Sequence, residues 1–554
     1  MKANKEKSNI GKKILIIAIF IGLVAIIINL APNYIRKEIN NKINVIINNN
    51  DVTKSMKFDA FIGDNEVIYL STKDIANFFD EDIFYDNKYN QIITSSETKL
   101  AALPLEKDEI YVNSSKIKIY GKATKKEENF YLPFSEMKNI YNVEINYIKE
   151  TNIITIDSLD KEQKKGNASK DIDIKYMPTI FSKSIDKVTK GNSMTVIEQL
   201  DNGWVKVRTK LGKIGYTKDI TNIYTLRENI ENKKQIEGKV SLVWDYFSEY
   251  ANAPSRTGKI EGVNVVSPAF VSLKKSEQGE LNINIGDSGK NYIQWAHNND
   301  YKVWMMVSNN SYKETTSDIL NDYKLRENLI NKLINITIQY DIDGINIDFE
   351  YIKGTDKDMF SRFIIELAPR LKEYGKVLSV DVTAPDGSED WSMCYNRYKI
   401  GKVADYIVFM AYDQNGTSSP KEGTTAGADW VEVNIKKFLG QEGVEKDKII
   451  LGMPFYTRLW KETQTTPQSN VVSMKNIDSV LPDGIEKKWN EDLKQYYVEY
   501  QKNDATYKMW LEEEESIKAK FDLMNEYDLA GAAYWQKDME KSTIWSIVEE
   551  KINN

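Results

Sequence analysis

Eight apolar runs separated by helical patterns occupy the chain from residue 238 to the C-terminus, and no other feature restricts the fold as much. The runs are KVSLVWDYF, GVNVVSPAFV, KVWMMVS, DGINIDFE, VLSVDVTA, DYIVFMAYD, KIILGMPFYTRLW and LAGAAYWQ. Segments such as LRENLINKLINITIQY and FSRFIIELAPRLKEYG lie between them with the spacing of amphipathic helices. Strands that each return through a helix pair in parallel, and eight of them over roughly 310 residues match a (β/α)8 barrel in count and size. The stretch 463–512 between the seventh and eighth runs is too long for a loop, and QYYVEY and TYKMWLE within it read as strands. The expected fold is multidomain: a C-terminal TIM barrel at 238–554 with an α+β insertion, preceded by two small domains.

The fourth run sets Asp343, Asp348 and Glu350 in a segment otherwise built of Ile, Phe and Gly. Ile345, Ile347 and Phe349 alternate with Gly344, Asn346, Asp348 and Glu350, the period of a strand. Active sites of such barrels lie at the C-terminal strand ends, so Glu350 is expected at the mouth, with Asp348 one inward step below. Two buried carboxylates cannot comfortably ionise together, and the one that keeps its proton can act as a general acid. Other strand ends add Met410, Tyr412 and Asp413 from MAYD, and Tyr456 and Arg458 from PFYTR. Trp535 ends the eighth run and offers a flat apolar surface suited to a sugar ring. Composition narrows the chemistry. One cysteine, Cys394, excludes an intrachain disulfide, and one histidine, His297, excludes a Cys/His zinc cluster and leaves little room for a Ser-His-Asp triad. A net charge of −7 argues against a nucleic-acid partner. Carboxylates are left to do the work, with no metal and no cofactor expected. His297, Cys394 and the acidic LEEEES segment at 511–516 are assigned structural or surface roles.

DGINIDFE resembles the DGxDxDxE signature of glycoside hydrolase family 18, the chitinases and related N-acetylglucosaminidases; MAYD, GMPFYTRLW and the final Trp fall in the family's order. The resemblance implies a retaining, substrate-assisted hydrolysis next to N-acetylglucosamine, an exception to the usual two-carboxylate scheme. Glu350 would be the acid and Asp348 would orient the acetamido N–H. Tyr412 and Asp413 would hold the acetamido group. Asn346, Met410, Tyr456, Arg458 and Trp535 would bind substrate. The signature has an Asp where this chain has Asn346, and an amide cannot take a proton or negative charge that an Asp could share with Asp348. Asn346 is expected instead to donate a hydrogen bond to Asp348 and hold it anionic. The same Asn is similar to the branch of spore-cortex and cell-wall lytic enzymes. The expected partner is a carbohydrate polymer, peptidoglycan or chitin; the alternatives to a peptidoglycan hydrolase are a chitinase and an inactive carbohydrate-binding wall protein.

Five lysines in the first 13 residues precede the apolar run Ile14–Ala31, 18 residues that as a helix would span about 27 Å. They predict a cytoplasmic tail at 1–13, a membrane anchor at 14–31 and a stalk at 32–50, giving a single-pass membrane protein whose catalytic domain faces the cell wall. An internal repeat follows. YLSTKDIANFFDEDIFYDNKYNQIITSS from Tyr69 and YLPFSEMKNIYNVEINYIKETNIITIDS from Tyr131 align without gaps, each reading as a short helix and two strands. The duplicated α+β domain, 51–158, resembles the copper amine oxidase N-terminal-like domain. It contains no His and no Cys, so no metal is expected there. A charged linker is expected next, then short strands at 171–225 with a turn at Asn202-Gly203, similar to bacterial SH3-like domains.

Overall fold

The computed structural model describes residues 42–229, 234–276, 279–385, 387–463 and 466–553. Leaving aside residues 97–100, the chain divides into one compact unit up to residue 232 and a second from residue 233 onward.

In the first unit the two repeat copies appear as expected. Helix Thr72–Phe78 precedes strands Phe84–Asp86 and Gln91–Ser95, and a 3-10 turn at Phe134–Met137 precedes Val143–Ile148 and Ile153–Ser158. The helix starts at Ser71 because its hydroxyl accepts the Asp74 N–H, satisfying a donor with no intrahelical partner. Two expectations need correction. Residues 44–50, read as the end of a stalk, fall in the strands Asn44–Ile47 and Asn50–Asp51, and Asn44–Ile47 pairs in parallel with Ile153–Ile156. Val45 is fully buried there and Ile46 and Ile47 nearly so, so the apolar NVII run belongs to the core. Residues Gln163–Ala168, read as linker, pair with Ser193–Val196 and Ile220–Arg227, joining the small all-β domain as part of a seven-stranded sheet.

The expected membrane location is also corrected. The first described element is a strand of this β-rich unit, and among the described residues no helix is long and apolar enough to cross a membrane. The anchor expected at 14–31 lies outside the described residues.

The second unit is the barrel. Its strands are β1 (Val240–Asp245), β2 (Val265–Pro268), β3 (Lys302–Ser308), β4 (Gly344–Asp348), β5 (Val377–Val382), β6 (Tyr406–Met410), β7 (Ile449–Pro454) and β8 (Gly531–Trp535). Each pairs in parallel with the next, and β8 pairs back onto β1, which closes the sheet. Outward side chains such as Ile345, Ile347 and Phe349 join the core shared with the helices, while Leu242, Trp244, Trp304, Met306 and Val408 fill the interior. The helix Tyr323–Gln339 that returns the chain to β4 begins where the Asp322 carboxylate accepts the Leu325 N–H at 3.0 Å. Gly344 opens β4 because a Cβ there would come within 2.8 Å of the Trp304 ring and of the Val377 carbonyl. Strand β7 stops at Pro454, and Tyr456–Lys461 already belongs to the insertion. That insertion is a five-stranded antiparallel sheet with Gln468–Ser473, Lys488–Asn490, Gln495–Lys502 and Ala505–Trp510. The sequence reading took PFYTR as the end of the seventh strand and began the insertion later, because one apolar run crosses the junction.

Candidate active site

A cavity of about 670 Å³ opens at the C-terminal strand ends. Asp348, Glu350, Met410, Tyr412, Asp413, Tyr456 and Trp535 line it, so seven of the nine residues singled out from sequence meet there. The other two lie behind it. Arg458 reaches Asp413 at 3.4 Å and donates to Thr417 Oγ1 at 2.9 Å. Tyr456 donates its hydroxyl proton to the same Asp413 oxygen at 2.7 Å, so both residues fix the Asp413 carboxylate.

Asn346 is wholly buried below the cavity. Its Oδ1 accepts from Trp244 Nε1 at 2.8 Å and from the Ser267 hydroxyl at 3.2 Å. Its Nδ2 donates to Ser379 Oγ at 3.0 Å and to Asp381 Oδ1 at 2.6 Å. The expected donation to Asp348 is therefore replaced by one to Asp381. The reason is strand geometry: side chains two apart on β4 stack one above the other, whereas the neighbouring strand presents its own inward residues alongside. Asn346→Ala would strand several of these groups in the interior, at about 1–3 kcal/mol for each buried group left unpaired. Denaturant unfolding of the variant is expected to show a loss of about 3 kcal/mol or more, and a loss under 1 kcal/mol would contradict this network.

Glu350 follows β4 directly, and its backbone is gripped by Asn309 at the end of β3. The Glu350 N–H donates to Asn309 Oδ1 at 3.0 Å, and Asn309 Nδ2 donates to the Glu350 carbonyl at 2.9 Å. The next residue, Tyr351, is held at φ +52°, a left-handed conformation that costs a non-glycine residue about 1–3 kcal/mol. Burial, then the nearby Asp348 and Asp413, push the Glu350 carboxyl up to about 8. Burial and Asp381 hold Asp348 well above the usual carboxylate range. Burial raises Asp381 as well, opposed by the hydrogen bond from Asn346. Glu350 thus carries a proton at neutral pH at the rim of an otherwise acidic pocket. Among the described residues that line the cavity, two carry a buried polar atom without a partner: Asp348 at Oδ1 and Tyr412 at its hydroxyl. Trp535 stands at the wall against Trp244 and Tyr246, with ring centroids 5.7 Å and 5.9 Å away.

The sequence reading missed Asp381, Trp244 and Asn309. Asp381 had a visible signal: it is the one charged residue in the apolar VLSVDVTA run. Asp343, by contrast, sits at the far end of β4, accepting from Val303 N at 3.0 Å and bonded to His297 at 2.9 Å, so both residues serve the fold. Among the described residues, no group of three or more His, Cys, Asp or Glu is arranged to hold a metal ion.

A family model described as glycosyl hydrolases family 18 matches residues 242–540, over half of the chain. The chain belongs to family 18. A second model, the copper amine oxidase N-terminal domain, matches residues 46–156. An uncharacterized glycosylase of Bacillus subtilis (strain 168) is 25% identical over 281 residues, covering 48% of this chain and 79% of that protein. The cortical fragment-lytic enzyme of the same organism is 22% identical over 261 residues, covering 45% of this chain and 60% of the relative. Among solved structures, a chitinase from Chromobacterium violaceum ATCC 12472 superposes with a TM-score of 0.50 at 22% identity, covering 57% of this chain and all of that one. That likeness concerns the fold. As a family 18 member with an acid at the mouth of its barrel, the protein is a glycosidase.

Proposed function

We propose that this family 18 barrel hydrolyses β-1,4 bonds next to N-acetylglucosamine in cell-wall peptidoglycan, with retention, using the substrate's own acetamido oxygen as nucleophile. One observation carries the reading: Asp348 Oδ1 and the Tyr412 hydroxyl are buried without partners in the pocket of Glu350. Buried polar atoms are seldom left unpaired, so such a pair points to a ligand. An acetamido group complements them, its N–H donating to Asp348 and its carbonyl oxygen accepting from Tyr412.

Glu350 gives its proton to the glycosidic oxygen as the C1–O bond breaks and its electron pair leaves with that oxygen. The acetamido oxygen bonds to C1 from the opposite face and forms an oxazolinium ion, whose positive charge faces Asp348. Water then adds at C1, Glu350 takes back a proton, and the ring opens to the retained anomer. Asp413, fixed by Tyr456 and Arg458, helps to close the pocket around the acetamido group, while Met410 and Trp535 supply its apolar wall. The similarity to cortical fragment-lytic enzymes supports a wall glycan as substrate.

The charge of the pocket favours one of the two wall sugars beside the acid. Its lining includes Glu249, Asp348, Glu350, Asp381 and Asp413 but no Lys, Arg or His among the described residues. The lactyl ether of muramic acid is bulky, and a free lactyl carboxylate would be repelled. N-acetylglucosamine is slimmer and uncharged. Cleavage should therefore leave N-acetylglucosamine at the new reducing end. Mass spectrometry of borohydride-reduced peptidoglycan digests is expected to show reduced glucosamine ends. Reduced muramic acid as the dominant end would sink the reading, and cleavage of chitin alone would transfer it to the chitinase alternative, which the likeness to probable chitinases supports.

A further inference from the structure

We infer that Asp381 on β5 is the carboxylate with which Asp348 shares a single proton, so that the neighbouring strand supplies the anionic partner that position 346 lacks. The inference rests on the reading of Asp348 as the receiver of the acetamido N–H. It starts from register. Strands β4 and β5 pair in parallel from Gly344↔Val377 to Ile347↔Val380, so the next position sets Asp348 abreast of Asp381, with about 4.8 Å between strands. Ile347 and Val380 both point to the helices, which turns Asp348 and Asp381 inward together. Both line the cavity, and their exposures are 8% and 1%.

Among the described residues no Lys, Arg or His lines the cavity beside them. The titratable groups facing Asp381 are Asp348 and Glu350 from β4 and the turn after it, and Tyr412 from beyond β6. Strand β1 contributes Trp244, and β3 contributes Met306 and Ser308. Two buried carboxylates side by side repel when both are ionised, and one proton held between them removes that repulsion. Asn346 holds the Asp381 carboxylate in place. Its Oδ1 is occupied by the Trp244 N–H and the Ser267 hydroxyl, so its Nδ2 is fixed toward Ser379 and Asp381. Asp381 Oδ1 receives that N–H, and Trp244 is a second donor to the same carboxylate, so the acid beside Asp348 is held in place. An Asp at 346 could not donate this bond when ionised. The amide at 346 and the carboxylate at 381 are a matched pair.

In the empty pocket the shared proton leaves the two carboxylates with one negative charge. As the acetamido nitrogen becomes cationic, the proton rests on Asp381 and Asp348 faces the cation as an anion. No bond to carbon changes in this step. Asp381 is thus a positioning residue that acts through Asp348.

The test compares Asp381→Asn, the exchange Asn346→Asp with Asp381→Asn, and Glu350→Gln, on chitotetraose and on soluble peptidoglycan strands. The Asn side chain at 381 offers Asp348 a donor but no oxygen that can take its proton. Asp381→Asn is expected to lower kcat about 100-fold with KM within about threefold. The exchanged double variant restores one carboxylate beside Asp348 and one amide to orient it, and should recover at least about tenfold of that loss. An Asp381→Asn enzyme within threefold of wild type would overturn the inference. So would a loss that the exchange leaves unrecovered, because that is how a merely structural residue behaves. Glu350→Gln separates the two levels: if it stays active the acid assignment itself falls, and if it is dead while Asp381→Asn is unaffected, only the proton-sharing pair falls.

Discussion

Glu350→Gln is expected to lower kcat/KM by about 1000-fold or more on every substrate the enzyme cleaves, because the amide fills the same space but has no proton to give. The same group sets the pH dependence. With its carboxyl pushed up to about 8, the acid is loaded at neutral pH, and kcat/KM should fall tenfold for each pH step above about 8. Stability should fall with rising pH as well. The folded-state value lies above the usual one of 4.5, so the contribution of this carboxyl is present below pH 4.5 and lost as pH rises through 8. Every tenfold change in proton affinity is worth about 1.4 kcal/mol, and the Gln variant escapes that loss. Thermal melts at pH 6 and pH 9 should therefore show the inactive variant gaining on wild type at the higher pH. A variant that retains a tenth of wild-type kcat/KM would overturn the assignment of Glu350.

The barrel was legible because its strands are buried on both faces and read as apolar runs, and because an acidic residue in such a run needs a reason. Glu350, Asp348 and Asp413 stand out in that way, and with Tyr412 and Trp535 they line one cavity. What the sequence hid was lateral. Asn346 bonds across to Ser379, its register partner on β5, and to Asp381 two residues on, and no pattern along one strand carries that information. Arg458 was read as a substrate ligand since it follows β7 closely, yet the chain has already turned into the insertion sheet, where Arg458 braces Asp413 from behind, while Tyr456 both lines the cavity and donates to Asp413. In the first unit, QKKGNA looks like linker because its side chains are polar, but its backbone donors and acceptors are used by strands on both sides. The NVII run was too short and too flanked by Asn to stand out from a stalk.

Removal of the acetyl groups from the glycan should be as damaging as removal of the acid. In the proposed chemistry the acetamido oxygen forms the bond to C1, and no side chain stands in for it. An amine at C2 has no such oxygen, would be protonated in solution, and gives Tyr412 no carbonyl to hold. The loss should exceed what weaker binding explains, because well-placed intramolecular groups reach effective concentrations of about 10⁵ M or more. The direct measurement is the initial rate on matched glycan strands of equal length, fully N-acetylated and chemically de-N-acetylated, at saturating concentration and pH 6. The account predicts ready cleavage of the first and a rate at least about 1000-fold lower on the second; comparable rates on the two would contradict it, since a nucleophile from the protein would then have to be doing the displacement.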